Sequence, residues 1–466
     1  MAHARFPAQF VWGVATSAFQ IEGMTEAAGR GESVWDRFCK RPGAISDGSD
    51  GRRACEHFTR YRDDVALMRA LGVQAYRFSI AWPRVLPTGR GAVNGAGLDF
   101  YDRLVDALLA AGIRPFVTLN HWDLPQALED AGGWPARDTV DAFVRFAEAV
   151  SRRLGDRVRD WTTHNEPWCV AHLGYATGEH APGRKEPGAS LAAIHHLLLS
   201  HGLAVPVLRQ NSPGAQVGIV LNLGSPYAAS PSDADREAME SFDGKFNRWY
   251  LDPLYWGRYP QAAVEEYVRE GVLPSADLPF VEPGDLAAIA APTDYLGVNY
   301  YSRSIIRSDR IPDAENAPRT IPEPSASQKT DMGWEVYPDG LRTLLLRVAR
   351  DYRPRRLFVT ENGAAYATPP DDKGRVDDRE RLEYLHAHIH AVGQAIAEGA
   401  PVAGYFAWSL LDNFEWQHGY SKRFGIVWVD YASQARIVKE SGRFYSGVIA
   451  RHGLPVVEPA MPARAP

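Results

Sequence analysis

The chain has 466 residues, 45% hydrophobic and 23% charged, with 51 Lys and Arg against 57 Asp and Glu for a net charge of −6. This is the composition of a globular protein and excludes an intrinsically disordered one. Neither sign of charge gathers in a long block, which argues against a nucleic-acid or membrane-surface partner and for a neutral small molecule.

Eight apolar, β-type segments follow one another at residues 10–16, 75–82, 113–121, 160–166, 216–222, 295–301, 356–361 and 402–409. The first reads as a strand rather than a signal peptide, because polar residues interrupt MAHARFPAQFVWGVATSAFQ and no cleavage region follows. No apolar run approaches the roughly 20 residues of a membrane span. Three widely spaced cysteines (Cys39, Cys55, Cys169) suggest no disulfide framework, so a reducing, cytoplasmic location is expected. Helical patterns fill residues 61–71, 98–111, 139–154, 190–208, 341–352 and 379–398. Asp339 and Asp377 are the expected N-caps of the last two, with Glu380 completing a capping box for Asp377. Residues 302–338 form a long polar connection containing Ile321-Pro322-Glu323-Pro324, either a lid or a disordered strip. The Pro- and Ala-rich tail, 455–466, is expected to be disordered.

Eight strand–helix units with no linker and no internal repeat predict an α/β fold, a single-domain (β/α)8 TIM barrel with enlarged βα loops over residues 1–454. A doubly wound sheet with a second domain is the alternative. In such a barrel the C-terminal strand ends carry the chemistry. Here they hold Gln20, Arg77, His121, Trp122, Asn165, Glu166, Asn222, Asn299, Tyr301, Glu361 and Trp408. Amides, carboxylates and aromatics are the groups that bind hydroxyls and stack on sugar faces. Thr163-His164-Asn165-Glu166-Pro167 and Thr360-Glu361-Asn362-Gly363 each place a carboxylate at a strand-to-loop junction. Glycoside hydrolysis needs two such groups facing each other across a sugar, one kept protonated and one ionised.

The segments FVWGVATSAFQIEG, YRFSIAWPR, HWDLPQAL, THNEPW, LGVNYY, VTENG, WSLLDNFEW and GYSKRFGIVWVDY occur in this order. With them the chain resembles glycoside hydrolase family 1, the β-glucosidase family, from Phe6 to about Gly453. The resemblance implies a retaining reaction with Glu166 as general acid/base and Glu361 as nucleophile, their carboxyl groups roughly 5–5.5 Å apart. It places Arg77 and Tyr301 beside the nucleophile, and Asn299 in the network between the two glutamates. It gives Asn165 to the sugar 2-hydroxyl, and Gln20, His121, Trp122, Glu415 and Trp416 to the other hydroxyls, with Trp408 beneath the ring. Trp168, Asn222 and Trp334 fall on the aglycone side. Glu415-Trp416 stands where relatives acting on 6-phosphorylated sugars carry phosphate-binding residues, and Glu166 where plant thioglucosidases carry Gln. A non-phosphorylated O-glycoside is therefore expected.

Asn120 and His164 depart from the family pattern. Period-2 alternation turns them away from the side that His121 and Asn165 face. His386-x-His388-x-His390 lacks a companion carboxylate or cysteine and is read as a solvated or partly packed helix face, as are His195, His196 and His201. No metal and no organic cofactor are expected. The competing readings are a broad β-glycosidase accepting galactosides or fucosides, a transglycosidase, and a non-catalytic sugar-binding barrel. A homo-oligomer is left open.

Overall fold

The computed structural model describes residues 6–308 and 328–455. Ile321-Pro322-Glu323-Pro324 and the tail from residue 456 lie outside the described residues. The strands are β1 (Val11–Ala15), β2 (Ala75–Ser79), β3 (Arg114–Asn120), β4 (Asp160–Asn165), β5 (Gln216–Asn222), β6 (Tyr295–Asn299), β7 (Leu357–Asn362) and β8 (Val402–Trp408). They pair in sequence, all parallel, and β8 closes on β1. Helices cover the outside, so both faces of each strand are buried and the strands read as continuous apolar runs rather than alternating ones. The single-domain barrel is the architecture the eight segments foretell.

The principal helices are α1 (His57–Ala70), α2 (Gly95–Ala110), α3 (Asp138–Leu154), α4 (Pro187–Asn211), α5 (Trp249–Trp256), α6 (Pro338–Tyr352), α7 (Arg379–Ala397) and α8 (Glu440–Arg451). The barrel floor is a cluster of rings, Phe116, Tyr295, Phe358 and Phe406. Their space is made by glycines on adjacent strands. A Cβ on Gly13 would sit 2.4 Å from the Phe406 ring, and one on Gly218 2.5 Å from Tyr295. Large and small residues thus alternate across the barrel interior, and the floor supports the strand ends above it.

Four expectations are corrected. Asp339 does not cap α6; it lies in the first turn, where its carboxylate accepts from Arg342 Nε at 2.7 Å. At α7 the N-cap position belongs to Asp378 rather than Asp377, and no capping box forms. Asp378 is drawn instead to Arg381 and to the Ser441 amide and hydroxyl of α8, partners stronger than the helix's own orphan amides. His195, His196 and His201 are not solvated: all three are buried on α4. They bond Tyr259 and Asp285, the Trp134 carbonyl, and the Thr163 hydroxyl of β4, so they are polar ties between α4 and its surroundings. Finally, α4 is long and apolar enough to cross a membrane by length and composition, against the expectation that no apolar run approaches a span. Here 78% of its most apolar stretch is buried inside the fold, as befits a helix hydrophobic all round.

Of the 302–338 connection, Ser304–Ile306 is a short strand paired in parallel with Pro226–Ala228. The β5–β6 connection, for which the sequence pattern gives no helix, holds Asp233–Asp243, α5, Gln261–Arg269 and Asp285–Ile289.

Candidate active site

Strand register assembles the site. Ala15 pairs with Trp408 and with Arg77, Asn222 with Asn299, and Asn299 with Glu361, so all these side chains rise from one end of the barrel. The β4–β5 and β6–β7 ladders shift register just below Asn165 and Asn299. Such irregularities re-aim strand-end side chains. Three non-glycine residues here adopt left-handed backbone: Trp122 (φ 80°), Glu166 (φ 49°) and Trp416 (φ 47°). Each costs about 1–3 kcal/mol, which packing around the site must offset.

Glu166 and Glu361 are 5% and 3% exposed at the floor of a cleft of about 850 Å³. Glu361 Oε1 accepts from Arg77 Nη1 at 2.5 Å and its Oε2 from the Tyr301 hydroxyl at 2.7 Å. Arg77 is itself buried, so this is an enclosed ion pair. Its other terminal nitrogen donates to Asn165 Oδ1 at 2.5 Å. Asn299 Nδ2 donates to the same amide oxygen at 3.1 Å and to Glu166 Oε1 at 2.6 Å, while Thr360 Oγ1 holds Asn299 Oδ1 at 2.7 Å. One continuous chain, Glu361–Arg77–Asn165–Asn299–Glu166, therefore joins the two carboxyls. Among the described residues no cation is bonded to Glu166. Burial, and then the neighbouring charge of Glu361, push its pKa up to about 8, so it is a protonated acid at neutral pH. The two carboxyls occupy opposite environments.

Burial holds the His121 imidazole neutral, its pKa well below the ordinary value. Its Nε2 faces Asn165 Nδ2 at 3.2 Å and can only accept there, so the proton sits on Nδ1. That Nδ1 is buried with no partner among the described residues, a donor left for a ligand. The ring lies nearly parallel to Trp408 and Trp416, at 5.8 and 6.0 Å between centroids. Trp122 Nε1 donates to the Asn165 carbonyl at 2.9 Å, so this indole offers its ring rather than its N–H. Glu415 carries a buried oxygen with no partner among the described residues. Burial and the two catalytic-end glutamates raise it to about 8.

Gln20 is fully buried. Its amide donates to Asn413 Oδ1 and the Phe414 carbonyl, and accepts from the Ser17 hydroxyl, which fixes the loop leading to Glu415. Trp168 and Trp334 stand in the cleft wall, Trp168 against Phe246 and Trp334 against Tyr301. Asn222 also reaches the wall, with its amide turned to Cys169. Asn120 and His164 bond each other on the barrel's outer side, where His164 stacks on Phe143 and meets Ser200 of α4.

Sequence reasoning passed over Cys169, His180, Phe246 and the Arg303–Glu335 ion pair, all in the cleft wall. Only Cys169 left a signal, its spacing of three from Glu166 on a segment entering a helix. Among the described residues no group of three or more potential metal ligands occurs. His388, from the triple-histidine run, is buried and stacked on Tyr384.

Comparison with known proteins agrees with this architecture. Beta-glucosidase A of Acetivibrio thermocellus is 46% identical over 97% of this chain and 100% of its own length. The 1,4-beta-D-glucan glucohydrolase of Thermotoga neapolitana is 44% identical over 97% of this chain and 99% of its own. The solved family 1 β-glucosidase of Thermotoga maritima superposes with a TM-score of 0.90 at 45% identity, covering 98% of this chain and 100% of that one. The profile of Glycosyl hydrolase family 1 matches residues 2–454. With a closed parallel barrel, paired strand-end glutamates and these relatives, the chain belongs to glycosyl hydrolase family 1.

Proposed function

We infer that the protein is a retaining β-glucosidase that removes terminal β-D-glucosyl residues from small O-glycosides and short cello-oligosaccharides by double displacement. The observation that carries this reading is the opposed setting of the two glutamates. Glu361 meets a guanidinium and a phenol, while Glu166 is buried, bonded to no cation among the described residues and raised to about 8. In the first step Glu361 attacks the anomeric carbon as Glu166 gives its proton to the leaving oxygen. Esterification of Glu361 removes the charge that raised Glu166, so the same group then serves as base toward water.

The sugar class follows from the wall opposite. The partnerless Nδ1 of His121 and the partnerless oxygen of Glu415 suit neutral hydroxyls. A phosphate there would face three carboxyls, with Arg77 already spent on Glu361. Trp168 and Trp334 give the aglycone aromatic faces.

Replacement of each glutamate tests the assignment. Glu361→Ala is expected to abolish turnover of an aryl β-glucoside while sugar binding stays measurable. Glu166→Ala is expected to slow alkyl glucosides by about 10²–10⁴-fold, the usual worth of general acid catalysis, and activated nitrophenyl glucosides far less in the glycosylation step. Equal slowing of both substrate types contradicts the acid role.

A further inference from the structure

Cys169 lies three residues beyond Glu166, at the start of a π-helical turn (Cys169–Thr177) that follows the left-handed backbone of Glu166. Its thiol donates to Glu166 Oε2 at 3.1 Å. Asn222, at the end of β5, points its Nδ2 at the same sulfur from 3.6 Å. The other carboxyl oxygen of Glu166 accepts from Asn299 at 2.6 Å. Each oxygen of the acid thus has its own donor, one amide and one thiol.

We propose that Cys169, oriented by Asn222, is a positioning residue for the acid/base, its S–H directing the transferable proton to Glu166 Oε2 and supporting the carboxylate that forms once that proton has left. With a strong amide donor on Oε1, the neutral carboxyl keeps Oε1 as its carbonyl oxygen and carries its proton on Oε2. A thiol is a weak donor, so it constrains this oxygen without competing for the proton during glycosylation. When Glu166 becomes anionic the same contact becomes charge-assisted and strengthens. The sulfur makes and breaks no bond and keeps its hydrogen. Burial and the adjacent Glu166 hold the Cys169 pKa well above its ordinary value, so S–H is its only working form. Among the described residues the groups facing Glu166 are Glu361 on β7, Arg77 on β2, Asn299 on β6, Tyr301 just past β6, Glu415 beyond β8 and Cys169 itself, and the thiol is the one donor among them reaching Oε2.

The proposal rests on Glu166 being the acid/base, and its test is separable from that reading. Cys169→Val removes the donor and keeps the position apolar with one added methyl group, and Cys169→Ser restores a donor. In pH profiles of kcat/KM on an alkyl β-glucoside, the basic limb of Cys169→Val is expected to move up by about half a pH unit, since a donor to the charged form is lost. Cys169→Ser is expected to return it to or below the native position. A native-like limb in Cys169→Val, or an identical shift in both variants, overturns the proposal. The native enzyme supplies a second measurement that needs no folded variant for its titration. The S–H infrared band that moves to lower frequency as Glu166 ionises should be that of Cys169, with the same midpoint as the basic limb. Thiol bands that stay fixed through that range refute the contact, whatever the Glu166→Ala kinetics say about the acid role.

Discussion

At Glu361 the two carboxylate oxygens have unlike partners: the Arg77 guanidinium holds one and the Tyr301 hydroxyl the other. The Arg77 contact also anchors Asn165, so changing it would disturb more than the nucleophile. Tyr301→Phe is the cleaner probe, because it removes one charge-assisted donor and leaves the ring against Trp334 and Phe424. A hydrogen bond to a charged group is worth about 1.5–3 kcal/mol. Tyr301→Phe is therefore expected to lower kcat/KM roughly 10- to 100-fold, with the melting temperature little changed. Wild-type kinetics would remove Tyr301 from the mechanism. Residues of this kind were legible in the sequence, because ionisable and amide groups at the ends of apolar strands have few structural uses. Gln20 and Cys169 were not legible as the structure places them. The partners of Gln20 lie nearly 400 positions away at Asn413 and Phe414, a separation of 393 for the first. The thiol of Cys169 acquires meaning only from the turn that folds it back over Glu166.

Strand ends explain why glycine closes the Glu361-Asn362-Gly363 string. A Cβ on Gly363 would lie 1.7 Å from the Trp408 carbonyl oxygen, backbone against backbone where β7 meets β8. No side-chain rotation relieves that. Gly363→Ala is expected to destabilise the protein by about 3 kcal/mol and to cut activity, because Trp408 and Glu361 must part. Unchanged stability and kinetics would show that the strand ends can yield. Element types and positions were legible wherever an apolar run or a 3.6-residue period was long. Cap positions were not, because Asp378 is claimed by Arg381 and Ser441, contacts that exist only after α7 packs on α8. The helices between β5 and β6 escaped for a related reason: a π-helical turn (Gly244–Arg248) joins Asp233–Asp243 to α5, and Pro253 lies inside α5, so no single 3.6-residue period runs through the region.

Over the whole molecule, eight parallel strands close into a barrel whose lower half is apolar and whose upper end concentrates buried charge. Such charge makes stability depend on pH. Asp123, just past Trp122, is fully buried, and both its oxygens lack partners among the described residues. Burial raises it to about 8, against the pull of Arg30, with Glu22 and Asp36 adding repulsion. A carboxyl raised on folding contributes stability that is complete below its unfolded value near pH 4 and is lost as pH climbs to about 8. Asp123→Asn escapes that loss. Its unfolding free energy relative to the native protein should therefore grow by about 2–4 kcal/mol between pH 5 and pH 8.5 in denaturant titrations. A pH-independent difference would mean that Asp123 is ionised in the folded state.

The central claim is that Glu361 and Glu166 carry out two successive displacements at one anomeric carbon. Proton NMR of the sugar first released from an aryl β-glucoside tests it most directly, before mutarotation mixes the anomers. The account predicts β-glucose as the initial product. Initial α-glucose would mean a single displacement by water, and would contradict both the nucleophile role of Glu361 and the second, basic role of Glu166.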